Sequence, residues 1–462
     1  AEIKDGFRAN KSLAWGLGAS VFTSMRGAWN TYLVSPLAAC IVGASTHPIP
    51  KGDDVNGMVS SGSHDQFSAD EIAQYRSETS GLENRVHLNS AGASLMPDVV
   101  LDAVVGHIQL EADIGGYEAA DAATETIQEA YVDTAGLVGA QVGRLAMTEH
   151  ATASFVTALS SVPFQSGDVL ATTRQDYVSN QIQYLSLAER FGIEIVRVPD
   201  APEGGVDLGA MEQVIQRRSP KLVAVTQIPT NSGLVQDVYA VGAMCRDHNV
   251  LYLVDGCQSV GQMPIDVEEM GCDFFSATSR KYLRGPRGAG FLYVSDRVID
   301  LGLQPLFPDM RGADWVDSDH YQPAADARRF ETWEYAWALV LGTGAASRYA
   351  QKVGLGRIHA RACALAAQMR RRLSTLDRVK VLDHGRELGA IVTASFEGHD
   401  PASLVYELRR RGINTSSQTR IDAVIDYDEK GVDGSLRISP HYFNTEDDLD
   451  ALEGALMEIV RA

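Results

Sequence analysis

The sequence predicts an α/β protein: a mostly parallel sheet sandwiched by helices, with a smaller α+β domain after it. Three observations carry that expectation. From roughly Val99 to Val294, short apolar runs alternate with segments of helical period, as strands buried on both faces require. Past a Trp-, Glu- and Arg-rich join at residues 328–344, the order becomes helix, strand, helix, strand, helix. The 462 residues suffice for two or three domains and a large core.

Residues 1–66 are the least legible. Residues 13–45 are apolar but interrupted by Arg26, Asn30 and several glycines. No run reaches the ~18 to 20 apolar residues of a spanning helix. Lys4, Arg8 and Lys11 give only a faint likeness to a signal peptide, and an arm packed on the protein or a partner subunit is the expectation. Residues 51–63, rich in Gly, Ser and Asp, read as a linker. Residues 67–98 form an N-terminal segment near the smaller domain. It opens with a helix at 67–78, where Ser68 and Glu71 make a capping box. A short strand at 86–89, a small-residue turn at 90–94 and a helix opened by Pro97 follow.

Residues 99–335 are the expected large domain. Strands are predicted at 169–172, 193–198, 222–227, 251–255, 274–277 and 290–294, with helices such as 179–191, 208–217 and 238–248 between them. Residues 336–462 are the smaller domain: a helix at 347–376, a strand at 391–396, a helix at 401–411, a strand at 436–439 and a last helix at 445–460. Thr445 caps that last helix, with acids at 446–448 favouring its dipole.

Composition narrows the partners. A net charge of −20, from 60 acids against 40 bases, argues against nucleic acid or an anionic membrane, although a pocket can still be locally basic. Hydrophobic residues at 45% and charged residues at 22% fit a soluble globular chain. Five cysteines, none in a CxxC pair, argue against a disulfide framework or a zinc site, with a reducing cytoplasm as the default location.

The chemistry concentrates in residues 251–294. The apolar run Leu251-Tyr252-Leu253-Val254 ends in Asp255, where ligands gather at the carboxyl ends of parallel strands. Further on stands Lys281, within Arg280-Lys281-Tyr282-Leu283-Arg284-Gly285-Pro286-Arg287-Gly288. These are the two anchors pyridoxal phosphate requires: an amine for the Schiff base and an acid to pair with the pyridinium nitrogen. An ordinary lysine, with a pKa of about 10.4, is protonated at neutral pH. Burial and the neighbouring Arg280, Arg284 and Arg287 favour the neutral nucleophile.

Other residues can complete the site, each with a plainer alternative. Asp255 could instead cap a helix. Gln258 could bond the ring's phenolic oxygen or be an ordinary exposed glutamine. In Met-Thr-Glu-His-Ala-Thr-Ala-Ser at 147–154, His150, Ala151 and Thr152 would present amides to a phosphate, or form a plain N-cap. Thr278 and Arg280 add a hydroxyl and a charge. Tyr177, after a strand end, could stack on the ring or pack in the core. Thr230, with Asn231, could face the ring edge. Ala91 and Gly92 offer free amides near a ligand, or a simple turn. Arg437, a charge within an apolar strand, suits an amino-acid carboxylate, or makes a structural ion pair.

Together, D-G-x-Q at 255–258, R-K-x-L-x-G-P-R-G at 280–288 and the 147–154 segment resemble the class V aminotransferase family of fold-type I pyridoxal-phosphate enzymes, which includes the cysteine desulfurases. The resemblance runs from about residue 86 to 460; residues 1–66 have no counterpart in it. It implies a large cofactor domain with a seven-stranded-type sheet, a smaller C-terminal domain and a homodimer with sites at its interface. It also implies Lys281 as the covalent attachment, Asp255 on the ring nitrogen, Gln258 on the phenolic oxygen, Tyr177 as the stacking aromatic and Arg437 on the substrate carboxylate. Arg329-Phe330-Glu331-Thr332-Trp333-Glu334 looks like the family segment whose threonine, here Thr332, reaches the phosphate in the partner subunit's site. Departures stand beside these likenesses. Group II desulfurases carry a reactive Cys before the Arg437-type strand, but residues 414–420 read Asn-Thr-Ser-Ser-Gln-Thr-Arg, and no Cys follows Cys363. Thr230 stands where desulfurases often have Asn, and Arg280 where they have His.

The expected chemistry starts with a small amino acid bound by Arg437, whose Cα proton passes to the freed Lys281 amine. It then branches to transamination, β-elimination or epimerisation. An aminotransferase is the expectation. A β-eliminating C–S lyase, desulfurase-like without the loop Cys, or an epimerase are the alternatives. A non-catalytic cofactor-binding scaffold is opposed by the retained anchors, and a dinucleotide binder by the absence of G-x-G-x-x-G after the first strand.

Overall fold

The computed structural model describes residues 67–461; the arm and linker expected within 1–66 lie outside the described residues. The first helix, Ala69–Ser77, carries the Ser68–Glu71 capping box that its sequence calls for. Strand β1 (Val86–His87) follows, and Pro97 occupies the N-cap of the helix Asp98–Ile114.

The central sheet has seven strands: β2 (Leu145–Thr148), β3 (Val169–Thr173), β4 (Glu194–Val198), β5 (Leu222–Thr226), β6 (Leu251–Asp255), β7 (Phe274–Thr278) and β8 (Gly290–Val294). Their order is β2-β8-β7-β6-β5-β3-β4. All pairings among β3 to β7 are parallel, and β8 runs antiparallel to both of its neighbours. Side chains alternate between two cores, which explains the unbroken apolar runs. Val223, Val225, Tyr252, Val254 and Phe275 pack on one face with Val238, Val241 and Val340. Leu222, Ala224, Leu251, Leu253 and Phe274 pack on the other with Phe155, Leu159 and Tyr184.

Three elements differ from expectation. Strand β2 was not marked by its residues, because it is four residues long and pairs only with β8. The hairpin of β9 (Ala313–Asp317) and β10 (His320–Pro323) lies on the surface, with Trp315 81% exposed, so no buried face leaves a period in the sequence. The helix expected at 347–376 is two helices, Trp337–Val353 and Leu355–Leu373, broken at Gly354. That glycine sits at φ +96°, where a side chain would be strained.

Strands β11 (Val379–Val381), β12 (Val392–Phe396), β14 (Ser416–Thr419) and β15 (Gly434–Ile438) form an antiparallel sheet of order β11-β12-β15-β14. Between them, β13 (Ile413–Asn414) pairs instead with β1, parallel. Leu404, Leu436 and Leu452 centre the core that the helices Pro401–Arg410 and Glu446–Arg461 close over this sheet.

Candidate active site

The parallel strands β3, β5, β6 and β7 end at one rim of the central sheet, and a cavity of about 290 Å³ lies there. Tyr177 enters from the segment after β3, Thr230 from the loop after β5, Asp255 from the last residue of β6 and Thr278 from the last residue of β7. The segment between β2 and the helix Ala151–Ser161 closes another side.

Lys281 stands in the tight loop between β7 and β8, 7% exposed. The loop is held from within: Arg284 N–H donates to the Lys281 carbonyl at 2.9 Å, Gly285 N–H to the Ser279 carbonyl at 2.8 Å, and Ser279 Oγ to the Pro286 carbonyl at 2.7 Å. His441 Nε2 donates to the Tyr282 carbonyl at 2.7 Å from outside. Among the described residues, Lys281 Nζ has no hydrogen-bond or ion-pair partner, and it lies 5.8 Å from the Tyr177 ring centroid. Burial pushes its pKa down; Cys257 and Asp255 oppose this, while Arg280 and Arg437 add to it. The amine is therefore disposed to be neutral and nucleophilic.

Asp255 is 4% exposed and held by two donors: Cys257 N–H to Oδ1 at 2.9 Å and Asn180 Nδ2 to Oδ2 at 3.0 Å. The first bond closes a turn, not the helix cap weighed as its alternative, since no helix begins between Asp255 and Val267, and the carboxylate lines the cavity.

His150, Ala151 and Thr152 line the cavity at a helix N-terminus. The imidazole of His150 is the cap: its Nδ1 accepts from Ala153 N–H at 3.0 Å. The first-turn amides of Ala151 and Thr152 have no intrahelical acceptor, so this end of the site offers donors suited to an anion. Thr278 and Arg280 line the cavity with them, as do Arg287, read from the sequence only as a charge near Lys281, and Gly288, not singled out. Arg280 Nη1 donates to the Gly92 carbonyl, and burial lowers the guanidinium's pKa.

At the other end Gln258 is buried at 2% exposure, not an exposed surface residue. Its Nε2 donates to the Ala91 carbonyl at 3.1 Å and Thr230 Oγ1 at 3.2 Å, leaving Oε1 buried without a partner. Ala91 and Gly92 thus meet the site through carbonyls. Their amides, expected to be free, are taken by Ser439 Oγ at 3.0 Å and the Asn89 carbonyl at 3.0 Å. Arg437, on β15, stands behind Thr230 rather than on the cavity wall. Among the described residues no carboxylate pairs with it, so the alternative of a structural ion pair is not what the fold contains. Its Nε is buried without a partner. Thr332 also lies off the cavity wall; its Oγ1 donates to Glu149 Oε1 at 3.2 Å, beside His150.

Thr226, Ile228 and Cys257 line the cavity too, and Asp176 and Asn180 back Asp255; the sequence reading missed all five. A polar pair four residues apart in the first turn after an apolar strand was the available signal for Asp176 and Asn180. The residue set fits pyridoxal phosphate: an amine without a partner among the described residues, a buried acid, an aromatic face and an amide-rich end beside Arg280; Gln258 presents an acceptor oxygen and would meet an ionised phenolic oxygen only with its amide turned over.

A sequence profile of the family described as aminotransferase class-V matches residues 86–452. That family is pyridoxal-phosphate-dependent. A probable cysteine desulfurase of Methanothermobacter thermautotrophicus is 29% identical over 385 residues, covering 82% of this chain and 95% of the relative. A probable hercynylcysteine sulfoxide lyase of Mycobacterium tuberculosis is 29% identical over 379 residues, covering 82% and 91%. The apo structure of a cysteine desulfurase from Thermococcus onnurineus NA1 superposes with a TM-score of 0.77 at 23% identity, covering 84% of this chain and 98% of that one.

Proposed function

The chain belongs to the class V aminotransferase family, and we propose that within it the protein is a lyase that breaks the Cβ–S bond of a small sulfur-containing amino acid. The observation that carries this reading is Lys281, a buried amine without a partner among the described residues, sharing one cavity with Asp255 and Tyr177. The relatives' names, a probable cysteine desulfurase and a probable hercynylcysteine sulfoxide lyase, support elimination over the transamination expected from the sequence.

Bound pyridoxal phosphate supplies an electron sink for the charge left at the substrate's Cα. Asp255 would hold its ring nitrogen, Gln258 its phenolic oxygen, Tyr177 its face, and the Ala151 and Thr152 amides with Thr278 and Arg280 its phosphate. Arg437 would bind the substrate carboxylate. The Lys281 amine, neutral through burial, takes the Cα proton as general base. As the Cβ–S bond breaks, a Cα–Cβ double bond forms and sulfur departs with the bonding pair. The Lys281 ammonium can return a proton to that sulfur. Addition of water then yields pyruvate and ammonia.

The sulfur's fate also follows from residues. No cysteine lies in 414–420, and the cavity's one described thiol, Cys257, is pushed up well above the ordinary range by burial, with Asp255 adding to the effect. A thiol held protonated is a poor nucleophile, so sulfur leaves on its own organic group or as sulfide. We further infer a homodimer in which Thr332 serves the second copy's phosphate. Phe307 and Met310, 85% and 67% exposed, support a covered surface there, since neighbouring Asp309 and Arg311 bond to Trp333 N–H and Glu331.

The test supplies L-cysteine, L-cystine, S-substituted cysteines and their sulfoxides to cofactor-loaded protein, without a keto acid. Equal release of pyruvate and ammonia supports the lyase. Turnover only when a keto acid is added would show a transaminase, and loss of chirality without products an epimerase.

A further inference from the structure

Behind Asp255 lies a second buried acid that the chemistry above does not use. Asp176, three residues past the end of β3, is 5% exposed. Its Oδ1 accepts from Tyr177 N–H at 2.6 Å, Asn180 Nδ2 at 3.1 Å and Thr226 Oγ1 at 2.5 Å. Its Oδ2 accepts from Gln181 Nε2 at 2.9 Å and Thr172 Oγ1 at 3.2 Å. Burial raises its pKa, and the donors pull against burial. Three of the five, the Tyr177, Asn180 and Gln181 N–H groups, can only donate, and they favour the carboxylate against the burial that raises its pKa. No cation pairs with it among the described residues; Arg197 comes nearest in the network, donating to Gln181 Oε1 at 2.8 Å. The other titratable group against it, Tyr184, is buried with its pKa raised well above the ordinary value and stays neutral.

Asn180 joins the two acids. Its side-chain nitrogen has two hydrogens and two carboxylates, Asp176 Oδ1 at 3.1 Å and Asp255 Oδ2 at 3.0 Å. Asp176 fixes the direction of that amide, and the amide fixes the carboxylate plane of Asp255.

We propose that Asp176 is a positioning residue that acts through Asn180, orienting Asp255 toward the cofactor's ring nitrogen and placing a second negative charge behind it. The inference rests on Asp255 being the ring nitrogen's partner. Removing an anion near a cationic acid lowers that acid's pKa, so the charge helps the ring keep its proton.

The test is a pH titration of the bound cofactor's ring nitrogen, followed by nitrogen NMR of ring-labelled pyridoxal phosphate, in the wild type and in Asp176→Asn, Asn180→Ala and the double variant. In Asp176→Asn the midpoint falls by about half a unit or more, kcat falls at least tenfold, and KM for the amino acid moves less than threefold, since Arg437 is untouched. In the Asn180→Ala background the Asp176 change adds little. Should Asp176→Asn not fold, Gln181→Leu at a half-buried position withdraws one donor from the Asp176 carboxylate, leaves its charge less neutralised and raises the midpoint. An unmoved midpoint in the foldable variants, or fully independent effects of positions 176 and 180, overturns the proposal. Failure of the wild type to bind cofactor at all would instead sink the reading of Asp255.

Discussion

Arg437 and Thr230 are bound to each other at the edge of the site. Arg437 Nη1 donates to Thr230 Oγ1 at 2.6 Å and to the Thr230 carbonyl at 3.2 Å, while the buried Nε has no partner among the described residues. A buried guanidinium without a carboxylate is costly unless a ligand supplies one. Arg437→Ala is expected to lower kcat/KM about 100-fold, corresponding to about 3 kcal/mol, most of it in KM. Arg437→Lys keeps the charge but loses the fork, and should recover only part of the loss. Steady-state kinetics against a carboxylate-bearing substrate and its amide tests this: an unchanged KM removes Arg437 from the site.

The phosphate end predicts a sensitive glycine. A Cβ on Gly290 would lie 2.9 Å from Ala151 N and 2.6 Å from the Ala277 carbonyl. Gly290→Ala must push β8 away from the helix terminus, costing about 2 kcal/mol of stability and weakening cofactor binding. Denaturant unfolding of the cofactor-free protein, together with cofactor titration, measures both. Equal stability and affinity would mean that this close approach does not matter.

Two buried histidines predict acid sensitivity. Burial lowers His87 from 6.5 to about 4 and His441 to about 3, with Arg284 adding to both. His441 is fixed as the neutral tautomer, because Nε2 donates to the Tyr282 carbonyl while Nδ1 accepts from Tyr442 N–H at 2.9 Å. Both folded pKa values are depressed, so the unfolded chain binds more protons below about pH 6.5. The contribution of each to stability is present above that pH and is lost as pH falls toward 4 and 3. Each costs about 1.4 kcal/mol per pH unit within its window. Urea unfolding at pH 7, 6 and 5 should show the decline, and His441→Gln should flatten it. A pH-independent midpoint over that range contradicts the account.

What could be read in the residues was what burial or local spacing leaves visible. β5, β6 and β7 showed themselves because both faces are packed, which makes their sequences apolar throughout. Lys281, Asp255 and Gln258 stood out because short motifs hold them. Strand β2 did not, since its partner β8 lies far along the chain. Asp176 and Asn180 were missed because their meaning arises only when β5 and β6 place Thr226 and Asp255 beside them. The absence of an acid beside Arg437, and the occupied amides of Ala91 and Gly92, are likewise properties of packing between distant segments. The comparisons moved the expected chemistry from transamination toward elimination, a distinction that the shared anchors do not encode.

The Thr332 segment carries its own prediction. If two copies share their sites, sedimentation gives a dimer and Thr332→Ala weakens cofactor binding about tenfold, the loss of one hydrogen bond to a charged group, without dissociating it. A monomer with full cofactor affinity would remove the shared-site reading.

The most direct test of the whole account is borohydride reduction of the cofactor-loaded protein, followed by peptide mass spectrometry. The account predicts a phosphopyridoxyl group on the peptide bearing Lys281, and none on that peptide in Lys281→Ala. A label on a different lysine, or a cofactor that reduction never attaches to the chain, would contradict it.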